Sequence, residues 1–372
     1  MEILGIKYIG PVMDNSGYAK AARENILALN SIGVPITVVP MSFEKARPDL
    51  GVHGKILNEL INKKIDYNIV IMHCTPEFYS KFREEGKFNI AYTIWETTKL
   101  HPDWKNYIND HVSALFVGCE WNVGIFKDCG VKVPIFNAPH CMSLDSLENV
   151  NEFDVAGLGK DTFMFYDIFQ WVERKAPLDL VKAYWSAFQN NEDVALVLKT
   201  YRSDYSDPEK NAIRQTLTRL KTVCSADNFP PIYLILDMLS EDEITGLHKR
   251  GDCYVSLDRG EGFGLGGFES GAIGNPIIVT GFGGVTEYAK SDNSYLVGYV
   301  EVPCYGMPWS PWYKLEQNWA QASVCHGAKL MKHVFNNREE AKQRGEKLQK
   351  FIHEEFTWEK LATKIINSIG VL

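Results

Sequence analysis

No apolar run in the chain reaches the roughly 18 residues that span a bilayer. The opening MEILGIKYIG carries Glu2 and no basic stretch ahead of an apolar one, which argues against a secretory leader. The eight cysteines (Cys74, Cys119, Cys129, Cys141, Cys224, Cys253, Cys304, Cys325) contain no C-x-x-C pair. Several sit inside apolar runs and read as buried thiols, so neither a zinc ribbon nor a disulfide framework is expected. No D-x-D occurs, and the histidines, His73 beside Cys74 included, show no ligand spacing; no metal centre is expected. A basic excess is missing too: 39 Lys and Arg stand against 47 Asp and Glu, a net charge of −8. The densest basic stretches, Lys63-Lys64 and Lys342 to Lys350, are broken or flanked by acids, which weighs against a polyanionic partner. Low-complexity segments and short-period repeats are also absent. The expectation is a reduced, cytoplasmic, soluble protein without a transmembrane segment.

What is present is enough chain for two domains. At 372 residues with 45% hydrophobic and 23% charged content, the composition is that of an ordinary globular protein. Short β-rich runs alternate with segments of helical period. Strands are expected at 3–9, 36–41, 68–73, 89–95, 114–119 and 133–139, with helices near 18–31, 54–63 and 121–129, as in a parallel sheet buried on both faces. Segment 141–160 loses periodicity and collects Ser, Asp, Asn and Gly like a linker. The pattern then restarts, with strands at 163–169, 194–200, 231–236, 253–257 and 276–280 and helices at 177–190, 208–224, 240–249 and 265–273. Helical patterns at 319–335, 338–353 and 357–369 close the chain. The reading is α/β, with one doubly wound domain over 1–150 and another over 151–354. The last helix, about 355–372, is expected to return to the first domain.

The most informative stretch is CYVSLDRGEGFGLGGFESGAIGNPIIVTGFGGVTEY, residues 253–288. It reads strand, glycine loop, helix, strand, second glycine loop. Gly262, Gly264, Gly266 and Gly267 let the backbone approach a ligand, and the helix that follows presents unpaired N–H groups that favour an anion. The letters satisfy G-x-G-x-x-G, but the acid expected about 20 positions on is missing, because IIVT ends in Gly281-Phe282-Gly283; a dinucleotide fold is a poor match. Glu261 and Glu269 bracket the loop. On spacing alone they read equally as a dipole-complementing acid and a solvated helix residue, or as acceptors for sugar hydroxyls beside a phosphate-ready terminus.

The segment E-GFGLGGF-E, followed by GNPII and GGVTE, resembles the E-seven-residues-E signature of retaining GT-B glycosyltransferases, the large family-four type containing sucrose synthase-like, phosphatidylinositol mannosyltransferase-like and lipopolysaccharide glucosyltransferase-like enzymes. The match runs through Glu261 to Leu265, Glu269, Gly274 to Ile278 and Gly283 to Glu287, with Gly266 where the family usually has Pro. GPVMDNSGYAKAAREN (10–25), IWETTKLHPDW (94–104), the 117–140 region and FQWVERKAPLDLVKAYWSAF (169–188) resemble further elements of the same family. The resemblance implies two Rossmann-like domains facing a central cleft, the first binding acceptor and the second a nucleotide sugar. It implies Gly17 close to the donor pyrophosphate and Arg174 and Lys175 as cations on the diphosphate, with Lys199 a second candidate that reads also as a solvated strand-end lysine. The family's further arginine is replaced at Phe169-Gln170. Glu269 would hold ribose hydroxyls, Glu261 the transferred sugar, and amides of Phe263, Gly264 and Leu265 sugar and phosphate oxygens, with Gly262 also at the donor. Glu96 falls where the first-domain active-site loop belongs, though a capping or solvated role fits as well. His140 ranks below it, as a core histidine.

The reaction implied is metal-independent, retaining hexosyl transfer from a nucleotide sugar, UDP-glucose or GDP-mannose first, to an acceptor hydroxyl, with no cofactor beyond that co-substrate. Rival readings are a non-catalytic nucleotide-sugar-binding protein and a sugar-nucleotide epimerase of the same fold. The acceptor stays open among a glycan, a lipid-linked sugar, a protein and a small molecule; a modified base in nucleic acid ranks lowest. Trp95, Trp104, Trp121, Trp171, Trp309, Trp312 and Trp319 are candidate sugar platforms, most of them expected in the core.

Overall fold

The computed structural model describes residues 2–42, 50–188, 193–224 and 228–372. The chain divides into one unit of Met1–Glu148 with His353–Leu372 and a second of Asn149–Ile352. The first unit runs β1 (Ile6–Gly10), α1 (Gly17–Ser31), β2 (Ile36–Pro40), α2 (Gly51–Leu60), β3 (Ile69–His73), α3 (Tyr79–Phe82), β4 (Phe88–Tyr92), α4 (Pro102–His111), β5 (Ala114–Val117), α5 (Glu120–Asp128) and β6 (Ile135–Asn137). Its strands form one parallel sheet in the order β2-β1-β3-β4-β5-β6. All of β3, IVIMH, is buried, as a strand covered on both faces requires.

The second unit runs β7 (Phe163–Gln170), α6 (Pro177–Ala187), β8 (Val194–Tyr201), α7 (Asp207–Cys224), β9 (Ile232–Ile235), α8 (Glu241–Arg250), β10 (Cys253–Ser256), α9 (Leu265–Ile273), β11 (Ile277–Thr280) and β12 (Tyr295–Val297). These six strands are again parallel, in the order β12-β11-β10-β7-β8-β9. An antiparallel pair, β13 (Tyr299–Pro303) and β14 (Asn318–Ala322), follows. Helices α10 (Val324–Asn336), α11 (Arg338–Glu355) and α12 (Trp358–Gly370) complete the chain.

Three local causes set these elements. α8 starts on a capping box in which the Ser240 and Glu243 side chains satisfy each other's backbone N–H groups, removing two orphan donors. α12 buries Leu361, Ala362, Ile365 and Ile369 in the core of the first unit, with Ile26, Leu27 and Leu29 of α1. Trp358 Nε1 fixes its start by donating to the buried carboxylate of Glu24 at 2.5 Å. The expected helix over 319–335 is corrected: 318–322 is a strand, pairing with β13, and the helix begins only where the Ser323 hydroxyl caps His326 N. Trp319 and Gln321, two positions apart, share the strand face that meets Arg259, a period of two and not a helical stripe. β13, in the segment before that strand, went unread, as did α4 between the strands at 89–95 and 114–119. The final residues of the helix expected at 177–190 lie outside the described residues. Among the described residues no helix is long and apolar enough to cross a membrane.

Candidate functional site

In the second sheet β7 leads outward to β8 and β9, and β10 to β11 and β12. The strand order therefore reverses between β7 and β10, and ligands of open α/β sheets bind outside the carboxyl ends of strands at such a switch point. Here the segments that leave β7 and β10 meet. Arg259 N donates to Arg174 O at 2.7 Å. Arg174 Nη1 donates to Gly260 O at 2.6 Å and to Glu261 Oε1 at 2.8 Å. Lys175 Nζ donates to the same Glu261 oxygen. Two cations thus converge on one carboxylate, all three side chains being 12–19% exposed.

The Glu173–Lys175 turn ends on Ala176 at φ 44°, a left-handed conformation costing an alanine about 1–2 kcal/mol. Something must hold it there, and Arg259 does. Its guanidinium, 4% exposed, donates to Glu173 O and Oε1 at 3.2 Å, to Asp179 Oδ2 at 3.2 Å and to Gln321 Oε1. It also lies over the rings of Tyr305 and Trp319.

The glycine loops are an interlock. Gly284 N donates to Glu261 O at 2.7 Å, and a Cβ at Gly284 would lie 2.0 Å from Gly262 O. Gly264 takes φ 85° as the residue before α9, with no side-chain cap, so the first N–H groups of that helix are offered to whatever binds. At Gly266, where the resembled family usually has Pro, a Cβ would meet Tyr254 Oη at 2.5 Å; the tyrosine occupies the space. Below the loop lies a cavity of ≈ 20 Å³ bordered by Lys175, Tyr254, Ser256, Asp258, Glu261 and Tyr288, room for about one water.

Three acids share this neighbourhood and differ in charge. Burial opposes the charge of Glu261, but Lys175 and Arg174 overcome it and hold the carboxyl below its ordinary range. Burial, with Glu261 adding to it, pushes Asp258 up to about 8. Burial pushes Asp167 up to about 7 against the opposing pull of Tyr254 and Lys175. Asp258 Oδ1 and Asp167 Oδ2 are buried without a hydrogen-bond partner among the described residues, as suits carboxyls whose titration burial has moved up into the neutral range.

Of the residues singled out in the sequence, Arg174, Lys175, Glu261, Gly262, Phe263, Gly264, Leu265 and Glu269 come together on these segments. Glu269 lies on α9, 8% exposed, with Oε2 3.4 Å from His248 Nε2. Lys199 ends up near the close of β8, 5% exposed, over the rings of Tyr201 and Tyr205; burial lowers it to about 8. Gly17 and Glu96 belong to the first unit. Gly17 opens α1, and Tyr18 beside it donates to Thr93 Oγ1 at 2.8 Å. His140 is a buried neutral residue, lowered to about 3 by burial. Among the tryptophans, Trp95, Trp104 and Trp319 are core, while Trp309 is exposed. Sequence reasoning passed over Asp167, His248, Asp258 and Arg259. A lone acid in the strand FMFYDIF, and an Asp-Arg pair directly before Gly260-Glu261, were the signals available.

The fold itself is shared with known proteins. The chain superposes on the HepE protein of Anabaena in complex with UDP-glucose with a TM-score of 0.67, at 10% identity, covering 100% of both chains. It superposes on sucrose-phosphate synthase from Thermosynechococcus elongatus with a TM-score of 0.69, at 13% identity, covering 98% of each. TarM of S. aureus, in complex with UDP and sugar ligands, gives 0.58 at 14% identity over 80% of this chain and 54% of that one. The likeness establishes the α/β GT-B fold class. In sequence, the chain is 24% identical over 216 residues to an uncharacterized protein of Sulfolobus islandicus rod-shaped virus 1, covering 57% of this chain and 56% of that protein's length. The matched stretch thus spans little more than half of that relative. No family model matches.

Proposed function

We propose that the chain is a glycosyltransferase that takes a hexose from a nucleotide sugar, UDP-glucose or GDP-mannose first, and transfers it to an acceptor hydroxyl with retention and without a metal. The observation that carries the reading is the convergence of Arg174 and Lys175 on Glu261 at the mouth of an uncapped helix. Departure of a nucleoside diphosphate leaves about one extra negative charge on phosphate oxygens, and fixed cations with unpaired helix N–H groups stabilise it there. In the resting state Glu261 neutralises both cations; a bound diphosphate competes for them and frees the carboxylate for sugar hydroxyls. Glu269 on α9 is assigned the ribose hydroxyls, a reading supported by its position on the helix that follows the glycine loop. The bound UDP and UDP-glucose of the neighbours HepE and TarM support a uridine nucleotide.

The departing phosphate serves as base for the incoming hydroxyl, so Glu261 is assigned no nucleophilic role. Arg174 and Lys175 supply the charge that a divalent ion would otherwise bring. The acceptor is a sugar, lipid-linked glycan, protein or small molecule; the acidic net charge ranks a nucleic-acid base last.

The test is nucleotide release from a panel of nucleotide sugars by the purified protein, with and without acceptor and chelator. Release that survives chelator and falls at least about 10²-fold in Lys175→Ala supports the reading. Tight nucleotide-sugar binding without release or transfer would make the chain a binding protein. Conversion of the donor sugar without any acceptor would make it an epimerase.

A further inference from the structure

We infer that His248, held by Tyr166, is a positioning residue that aims the Glu269 carboxylate at the ribose of the bound nucleotide. The inference rests on the proposed role of Glu269 as ribose acceptor and adds what orients it.

Glu269 is buried on α9, and the structure brings a group from another helix up to its carboxylate. His248, 1% exposed, comes from α8 and brings Nε2 to 3.4 Å from Glu269 Oε2. That nitrogen has no formed hydrogen bond among the described residues. A buried imidazole nitrogen without a partner is costly, and a small rotation of the carboxylate on ligand binding would complete the bond.

The other side of the ring is fixed. Nδ1 lies 2.9 Å from Tyr166 Oη, and the two rings meet edge to face. Tyr166 Oη also lies 2.8 Å from Ser270 Oγ and accepts from Asn275 Nδ2 at 3.0 Å. Asn275 Nδ2 donates as well to His248 O at 2.6 Å. Strand β7, helices α8 and α9 and the turn after α9 are thereby tied to one imidazole. Gly251 belongs to the same device: a Cβ there would sit 2.1 Å from Tyr166 Cε1, so only a bare position lets the phenol stand where it reaches the histidine.

The proton count says how the ring can act. A tyrosine hydroxyl has one proton and can accept twice. Tyr166 donates to Ser270 Oγ and accepts from Asn275 Nδ2, which leaves one acceptor position for Nδ1–H, so the ring bonds the Glu269 carboxylate through Nε2–H when it carries both protons. Such an outer partner fixes the orientation of the ring, as it does for catalytic and metal-bound histidines.

The readout is discrimination between ribose and 2′-deoxyribose, which loss of stability alone does not move. Titration calorimetry would compare UDP with 2′-deoxy-UDP, and GDP with 2′-deoxy-GDP, on the full chain. Wild type should prefer the ribonucleotide by at least about tenfold, the effect of one hydrogen bond to a charged group. Glu269→Ala should abolish the preference. His248→Phe and Tyr166→Phe should reduce it to about threefold or less, while His248→Gln, whose amide reaches the Nε2 position, retains it; if His248→Phe does not fold, the other two variants decide. A preference lost in Glu269→Ala but intact in Tyr166→Phe and His248→Phe overturns the positioning role and leaves the site reading standing. A preference intact in Glu269→Ala, or no binding of either nucleotide to wild type, overturns the site reading itself.

Discussion

The two units build the same kind of strand-order reversal and furnish it with opposite chemistry. In the first sheet the reversal lies between β1 and β3. There His73 packs with Tyr18 and Tyr92, and its Nδ1 contacts Tyr8 Oη at 2.7 Å. In the second sheet, between β7 and β10, the same place holds Arg174, Lys175, Glu261 and two aspartates pushed upward by burial. One sets an imidazole among phenols, the other gathers two cations on a carboxylate. The difference teaches that a shared strand order leaves the chemistry of the crevice open: clustered cations on a carboxylate mark one unit, and an imidazole ringed by phenols marks the other.

The comparison is broken most directly by removing the ionic side. Lys175→Met should lower nucleotide-sugar turnover by about 10²-fold or more, read as nucleotide release at saturating donor. Glu261→Ala leaves two largely enclosed cations without their carboxylate and should cost on the order of 3 kcal/mol, read as a lowered urea midpoint.

The comparison is sharpened by pH, because the two units should lose stability in opposite directions. An unfolded aspartate releases its proton near 3.9, whereas folded Asp258 keeps its proton up to about 8. The unfolded state therefore binds fewer protons between pH 4 and 8, and the contribution of Asp258 declines through that window. Asp258→Asn should match wild type near pH 4 and exceed it progressively toward pH 8. Burial lowers His73 and His140, the latter to about 3. An unfolded histidine gains a proton below about 6.5, so their contribution is complete above that pH and is lost as acid is added. His140→Gln should flatten that acid limb. Chemical denaturation at pH 4, 6 and 8 checks both signs. A smaller effect is expected from Gly266→Pro, which restores the usual letter of the resembled family but meets Tyr254; a loss of about 1–3 kcal/mol is expected from overpacking. The smallest is Ser323→Ala, about 1 kcal/mol from one lost helix cap.

Much of this was legible in the letters, for identifiable reasons. The βα alternation and the boundary of α9 follow from apolar runs buried on both faces and from glycines needed where Gly264 turns left-handed. The Glu261–Glu269 spacing and the Arg174-Lys175 pair could be read because they are contiguous. What escaped was assembled from afar. His248, which faces Glu269, is held from behind by a phenol 82 residues away. Arg259 supports the cation turn through partners 86 and 62 residues away. Asp258 drew no reading at all, since the upward shift of its carboxyl is a consequence of burial that no window of sequence displays. The hairpin β13–β14 was lost because the period-2 signal of NWAQA is too short to outvote the helix behind it.

Helix α12 has a consequence for how the molecule is made. Its four apolar residues complete the core begun by α1, yet they are synthesised about 200 residues after the rest of that unit. At roughly 5–20 residues per second a ribosome takes on the order of 10–40 s to cover that distance. Through that interval the nascent first unit displays an uncovered apolar strip along α1, while the second unit can close on its own, so the half that begins the chain is the one finished last.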